Sequence, residues 1–118
     1  MTHRTRVLVV EDEVVIAWDL QAELESRGYD VAGPAGTIAE AMDALRAGPV
    51  GIAVLDINLG SGTSYDIARR CLGDGIPVVF LSGDGGDSRP DELRSIELVT
   101  KPVDYTALDL ALSRAMEG

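Results

Sequence analysis

Four short apolar runs in this chain each lead into residues that handle charge. Arg6-Val7-Leu8-Val9-Val10 runs into Glu11-Asp12, and Gly51-Ile52-Ala53-Val54-Leu55 runs into Asp56. Val78-Val79-Phe80-Leu81 runs into Ser82, and Ile96-Glu97-Leu98-Val99-Thr100 runs into Lys101-Pro102. Short runs rich in β-branched residues read as strands buried on both faces, the habit of parallel sheets. In open α/β sheets, chemistry gathers at the carboxyl ends of the strands. Two acids, a lone Asp, a hydroxyl and a Lys are therefore expected along one edge of a sheet.

Helical patterns alternate with these runs. Ile16, Leu20 and Leu24 recur every four residues, and Gly28 ends the helix they define. Residues 29–32 read as a short second strand that Gly33-Pro34 closes. Gly36 or Thr37 opens helix two, with Ile38, Ala41, Met42 and Leu45 inward and Gly48-Pro49 as its stop. The third strand is residues 52–55. Thr63 and Ser64 are candidate caps for helix three, residues 65–72, and Asp66 has the spacing to complete a capping box with Thr63. The glycine-rich segment 83–90 is a poor helix sequence, so the fourth helix is expected to shrink to about two turns near 91–95. Strand five is residues 96–99. Asp104 can cap a last helix whose inward residues are Leu108, Ala111, Leu112 and Ala115. This alternation predicts an α/β three-layer sandwich, with a five-stranded parallel sheet in the flavodoxin-like order 2-1-3-4-5 and helices on both faces.

The 118 residues make one domain, long enough to bury roughly two-thirds of the unfolded surface. Aromatics are only 4% of the chain, so the core is expected to be aliphatic. A net charge of −10 argues against nucleic acid or an anionic membrane as a partner. The single Cys71 excludes an intramolecular disulfide and a Cys-based metal site, and reads as a small buried hydrophobe. No signal-peptide core or span of about 18 apolar residues is present, which predicts a cytoplasmic protein. The last helix ends near Gly118, so a single domain over residues 1–118 with no output domain is expected.

Strands one and three are neighbours in the expected order, which brings Glu11, Asp12 and Asp56 together. Two carboxylates about 5 Å apart repel by roughly 3 kcal/mol at an effective dielectric near 20. Three together need a cation or raised pKa values. Mg2+ fits, because it takes oxygen ligands, keeps several waters and commonly uses one or two carboxylates with phosphate oxygens. Calcium fits less well, since no EF-hand type of loop exists. Asp56 is the candidate nucleophile: a carboxylate can attack phosphorus to form an aspartyl phosphate when cations neutralise the transferred group. Lys101 supplies a mobile point charge and Ser82 a hydroxyl donor, while the glycines after Ser82 leave backbone N–H groups accessible. The only histidine, His3, precedes the first strand, so the phosphoryl donor must come from outside. Each element has a plainer explanation alone, as a helix N-terminus, a turn residue or a common dipeptide. The joint arrangement at four strand ends carries the assignment.

Across nearly the whole chain these residues resemble the receiver domain of bacterial two-component response regulators. In that family an acidic pair follows strand one, the phosphoacceptor Asp ends strand three, Thr or Ser ends strand four, and Lys-Pro follows strand five. The resemblance implies Mg2+ held by Asp12, Asp56 and the backbone carbonyl of Asn58, with Glu11 acting mainly through water. It implies phosphate held by Ser82, Lys101 and backbone N–H groups, and a cis Lys101-Pro102 bond. Asn58 and Asp84, two residues after the Asp and the Ser, are implied to flank the path of the attacking water and to tune dephosphorylation. The implied phosphodonor is a histidine kinase or a histidine phosphotransfer protein. The implied output is protein binding or removal of phosphate from a shared kinase, with no catalysis beyond the chain's own phosphotransfer and autodephosphorylation.

Three residues or segments depart from the family pattern. Leu98 stands where the family usually has the Tyr or Phe of its switch, Gly60 stands where most receivers have Pro, and the fourth helix is weak. With Phe80-Leu81-Ser82-Gly83, these features resemble a variant bacterial subgroup that lacks the switch aromatic and often occurs in stress signalling, although Asp84-Gly85 departs from its usual continuation. Two other readings compete. A haloacid-dehalogenase type of Mg2+-dependent phosphohydrolase also uses an Asp nucleophile, but places it after the first strand with a second Asp two residues on. A receiver-shaped binding module would not be phosphorylated at all. Trp18 lies about 200° around helix one from Ile16, on the side of Val14. It either forms a docking patch for the histidine-bearing partner or covers helix one beside the last helix.

Overall fold

The computed structural model describes residues 4–60, 62–83 and 88–118. Its strands are β1 (Arg6–Val10), β2 (Asp30–Ala35), β3 (Ile52–Asp56), β4 (Val78–Ser82) and β5 (Leu98–Thr100). They form one parallel sheet in the order β2-β1-β3-β4-β5, the expected topology. The helices are α1 (Val14–Ser26), α2 (Ile38–Ala47), α3 (Tyr65–Gly73) and α4 (Tyr105–Glu117).

Alternation along the strands divides the interior into two cores. Leu8, Val10, Ala53, Leu55 and Phe80 face α2 and α3, where they meet Ala41, Ile67, Ala68 and Cys71. Val7, Val9, Val54, Val79 and Leu81 face the other way, against Leu20 and Leu24 of α1 and Leu108, Ala111 and Leu112 of α4. Both faces are covered, which is why the strand sequences are continuously apolar. Each fully buried Leu contributes about 2 kcal/mol through apolar area removed from water. Among the described residues no helix is long and apolar enough to cross a membrane.

Capping follows the sequence at two of three expected sites. Thr37 accepts from the Glu40 N–H at 3.1 Å, and Glu40 Oε1 accepts from the Gly36 N–H at 2.8 Å. Asp104 accepts from the N–H groups of Thr106 and Ala107 at 3.0 and 3.2 Å. At α3 the capping box does not form. Ser64 occupies the cap position with its hydroxyl buried and without a hydrogen-bond partner, while Asp66 turns to Arg69 at 2.9 Å. The chain there is committed instead to a short antiparallel ladder, Asn58–Leu59 with Gly62–Thr63, and to the bond from Ser64 N–H to Ile57 O at 2.9 Å.

Three element boundaries differ from expectation. Strand two does not stop at Gly33-Pro34 but continues to Ala35, with the register shifting between Leu8 and Val10 of its partner. β2 is an edge strand, so Pro34 removes no ladder bond on its open side, and Gly33, at φ 95°, absorbs the irregularity. β5 lies at residues 98–100 rather than 96–99, because its pairing is set by Phe80 opposite Leu98 and Ser82 opposite Thr100. The fourth helix is a single 3-10 turn, Asp91–Leu93.

A buried arginine organises the segment where that helix would stand. Arg89 is 8% exposed, and its guanidinium lies 6.0 Å from the Phe80 ring centre. Its Nη1 donates to the carbonyls of Ile96 at 2.6 Å and Leu93 at 3.4 Å. Tyr65 meets the same Phe80 ring edge-on at 6.2 Å. No periodicity signals such a role, since a lone Arg in a polar loop reads as surface.

Cys71 is fully buried on α3, as expected. Burial, with a smaller contribution from Asp74, pushes its thiol up to about 11. The folded chain is therefore expected to resist thiol-directed reagents at about pH 8 and to react fully once unfolded by denaturant. Prompt labelling of the folded chain would contradict this burial. A thiol with a raised folded pKa favours the folded state below its unfolded value and loses that contribution as pH rises through about 11, so a modest alkaline destabilisation should disappear in Cys71→Ala.

Candidate phosphoryl-acceptor site

The ends of β1, β3, β4 and β5 bring the expected charged and hydroxyl residues to one edge. Pairing of Val10 with Leu55, Asp56 with Leu81 and Ser82 with Thr100 sets the alignment. Asp56 and Glu11 are buried, at 5% and 2% exposure, while Asp12 is exposed. One carboxylate oxygen from each of the three lies within 4.8 Å of the others. Lys101 Nζ lies between two of them, 2.6 Å from Glu11 Oε1 and 3.1 Å from Asp56 Oδ2. The first is an ion pair and the second also a hydrogen bond donated by the ammonium.

Backbone donors hold the acids from outside. Glu11 Oε2 accepts from the Glu13 N–H at 3.0 Å, and Asp12 Oδ2 accepts from the Gly60 N–H at 3.0 Å. The second bond gives Gly60 a function, because Pro at that position would have no N–H to donate. Ser82 is buried at the end of β4, and its carbonyl accepts from the Lys101 N–H at 2.8 Å. The bond Lys101-Pro102 is cis, as the resemblance implied.

The electrostatics follow from burial. Desolvation raises the pKa of Asp56 and of Glu11, and the Lys101 ammonium opposes the rise in each. Burial would lower Lys101, but Glu11 and Asp56 outweigh it and the ammonium is held above its usual range. Among the described residues, the two buried acids thus share one cation, an arrangement short of positive charge.

The remaining expected residues are placed less uniformly. Asn58 is exposed and pairs with Thr63 in the short ladder, two residues beyond Asp56. Asp84 lies outside the described residues. Trp18 is 65% exposed. It lines a groove with Val14, Pro34, Gly36 and Glu40 that reaches Glu11 and Asp12. The side of α1 that meets the loop after β5 is formed instead by Ile16 and Asp19, opposite Pro102, Val103 and Tyr105. Sequence reasoning missed the Lys101–Glu11 pair and the Gly60–Asp12 bond. The first needed the register of non-adjacent strands, and the second needed the fold of the Asn58–Thr63 turn.

The sheet order is set together with a buried Asp56 carboxylate and the Lys101 cation at its edge. Over residues 7–113 the chain matches the response regulator receiver domain, and it belongs to that family. Along 100% of both chains it superimposes on SdrG from Sphingomonas melonis, with a TM-score of 0.85 and 32% identity. It is 36% identical over 117 residues to YkoG, an uncharacterized transcriptional regulatory protein of Bacillus subtilis, covering 92% of this chain and 49% of that protein. It is 31% identical over 121 residues to the phyllosphere-induced regulator PhyR of Methylorubrum extorquens, covering 95% and 43% respectively. The chain spans about half the length of these curated relatives. Asp56 ends the third strand of the chain, not the first, where the haloacid-dehalogenase reading would need its nucleophile.

Proposed function

We propose that Asp56 accepts a phosphoryl group from a phosphohistidine on a histidine kinase or a histidine phosphotransfer protein, in a reaction that depends on Mg2+. The observation that carries this reading is Lys101 Nζ set between Glu11 and Asp56 at the carboxyl edge of the sheet. A carboxylate oxygen of Asp56 attacks phosphorus, the P–N bond breaks, and the imidazole leaves with its electron pair. Lys101 already donates to Asp56 and can move its charge onto the transferred phosphoryl oxygens. Ser82, on the adjacent strand end, adds a hydroxyl donor, and its carbonyl tether to Lys101 keeps the two groups in register.

Asp12, Asp56 and the backbone of Asn58 are the groups that would hold Mg2+, with Glu11 behind them. The donors are all oxygen, and among the described residues the buried pair of acids has a single ammonium for compensation, so the residues fit the ion. When bound, the ion withdraws charge from the transferring phosphoryl group. Asp12 is presented for this role by its bond from Gly60.

The chain acts as a signalling switch and not as an enzyme on other molecules; its output is protein binding or draining of phosphate from a shared kinase. PhyR, one relative, is a stress response regulator, which supports a stress-signalling context. Incubation with a small phosphodonor and Mg2+ is expected to give acid-labile incorporation of one phosphoryl group, lost on chelation with EDTA. Because Trp18 shares a groove with Glu11 and Asp12, Mg2+ alone should change its fluorescence saturably. A flat titration, with labelling that survives EDTA, would refute the metal requirement. The exposed Trp18 ring is also offered as a contact for the histidine-bearing partner. Trp18→Ala should slow phosphotransfer from that partner about tenfold or more while leaving labelling by the small donor unchanged. Equal rates from the partner would remove the contact.

A further inference from the structure

Phe80, Ser82, Leu98 and Thr100 lie on one face of the β4–β5 pair, by register and strand alternation. Arg89 covers that face at Phe80. The connection from Ser82 to β5 contains no α-helix among its described residues, only the turn Asp91–Leu93. Its carbonyls at Leu93 and Ile96 are instead gathered by one guanidinium, which is itself buried. Arg94 Nε closes the unit by donating back to the Arg89 carbonyl at 3.2 Å. Residues 89–96 are thereby tied into one piece, and that piece is fastened to β4 through the Phe80 ring. Glu97 continues the tie, since its carbonyl accepts from the Phe80 N–H at 2.9 Å.

We propose that Arg89 is the positioning residue that carries occupancy of the Asp56 site to the surface of residues 90–98, in place of a switch aromatic. The inference rests on the phosphoacceptor reading of Asp56. A phosphoryl group on Asp56 draws the Ser82 hydroxyl toward it, and Ser82 stands two residues beyond Phe80 on the same face of β4. Leu98, paired with Phe80, has no ring that could rotate or polar tip that could change partners. Arg89 has both a stacking plane and a fork of donors, so a shift at the end of β4 reaches the Leu93 and Ile96 carbonyls directly. Lysine at this position would keep the charge but lose the planar face and the fixed fork.

The test is backbone amide NMR of the Mg2+-loaded chain with and without beryllofluoride, a stable acyl-phosphate mimic, for wild type, Arg89→Lys and Arg89→Met. In wild type, shifts are expected around Asp56, Ser82 and Lys101 and also through residues 90–98. In Arg89→Lys the shifts at 90–98 should fall to under about half while those at the site remain, and in Arg89→Met they should vanish. A purely structural role would lower thermal stability in both variants but leave the beryllofluoride response of 90–98 intact. Wild-type responses at 90–98 in either folded variant overturn the proposal, as does a wild-type response confined to the site. Should Arg89→Met fail to fold, Arg89→Lys decides. No response around Asp56 in wild type would instead remove the phosphoacceptor reading, and the coupling with it.

Discussion

Lys101→Met is expected to lose both stability and reactivity. Lys101, Glu11 and Asp56 have side-chain exposures of 12%, 0% and 7%, so removal of the ammonium leaves two buried acids without their cation. Breaking a buried pair on one side costs about 3 kcal/mol or more. The cost depends on pH in a defined direction. Burial already holds Asp56 and Glu11 above the ordinary carboxylate range, and loss of Lys101 removes the main opposing influence. A carboxyl with a raised folded pKa favours the folded chain below its unfolded value, and that contribution is lost as pH rises through the folded value. The deficit against wild type should therefore be greatest near neutral pH and shrink as pH falls toward about 4–5. Thermal melts across that range check the sign. Labelling by a small phosphodonor should fall by about a hundredfold, the scale of losing one fixed charge on a developing anion. Wild-type labelling with an unchanged melting temperature would contradict the assigned role of Lys101.

Asp56→Asn has the opposite balance of effects. The amide cannot attack phosphorus, so acid-labile phosphate should fall to background with every donor. Stability without metal should match or exceed wild type. Asn is nearly the same size, can accept from Lys101, and spares the cost of a second buried carboxylate beside Glu11. This variant separates chemistry from folding: labelling is lost although the melting curve is not. Normal labelling of Asp56→Asn would sink the assignment of the nucleophile.

The division between what was readable in the sequence and what was not follows physical lines. Strand ends were readable because apolar runs buried on both faces stop abruptly at Glu11, Asp56 and Ser82, while the partly buried edge run stops at Lys101. Parallel order then forces those ends together, so the members of the site could be named. Caps at Thr37 and Asp104 were readable because they are local, one side chain to an N–H within three residues. The Thr63–Asp66 capping box was misjudged because Thr63 is taken up in the short ladder with Asn58. Pro34 misled because a proline reads as a strand end unless the strand is known to lie at an edge. Lys101 was assigned to phosphate alone, but without phosphate it bridges Glu11 and Asp56, which only the register of three strands reveals. Arg89 was invisible for the same reason. Its value lies in Phe80, Leu93 and Ile96, and no local pattern connects them.

The central claim is that the acid between the ends of β1 and β4, and no other residue, carries the phosphoryl group. The direct measurement is peptide mapping by mass spectrometry after brief reaction with a small phosphodonor and Mg2+, with borohydride used to convert any acyl phosphate to a stable alcohol. The converted residue is expected to be Asp56, and only in the presence of Mg2+. Conversion of Asp12 or Glu11, or an acid-stable phosphate on Ser82, would contradict the account.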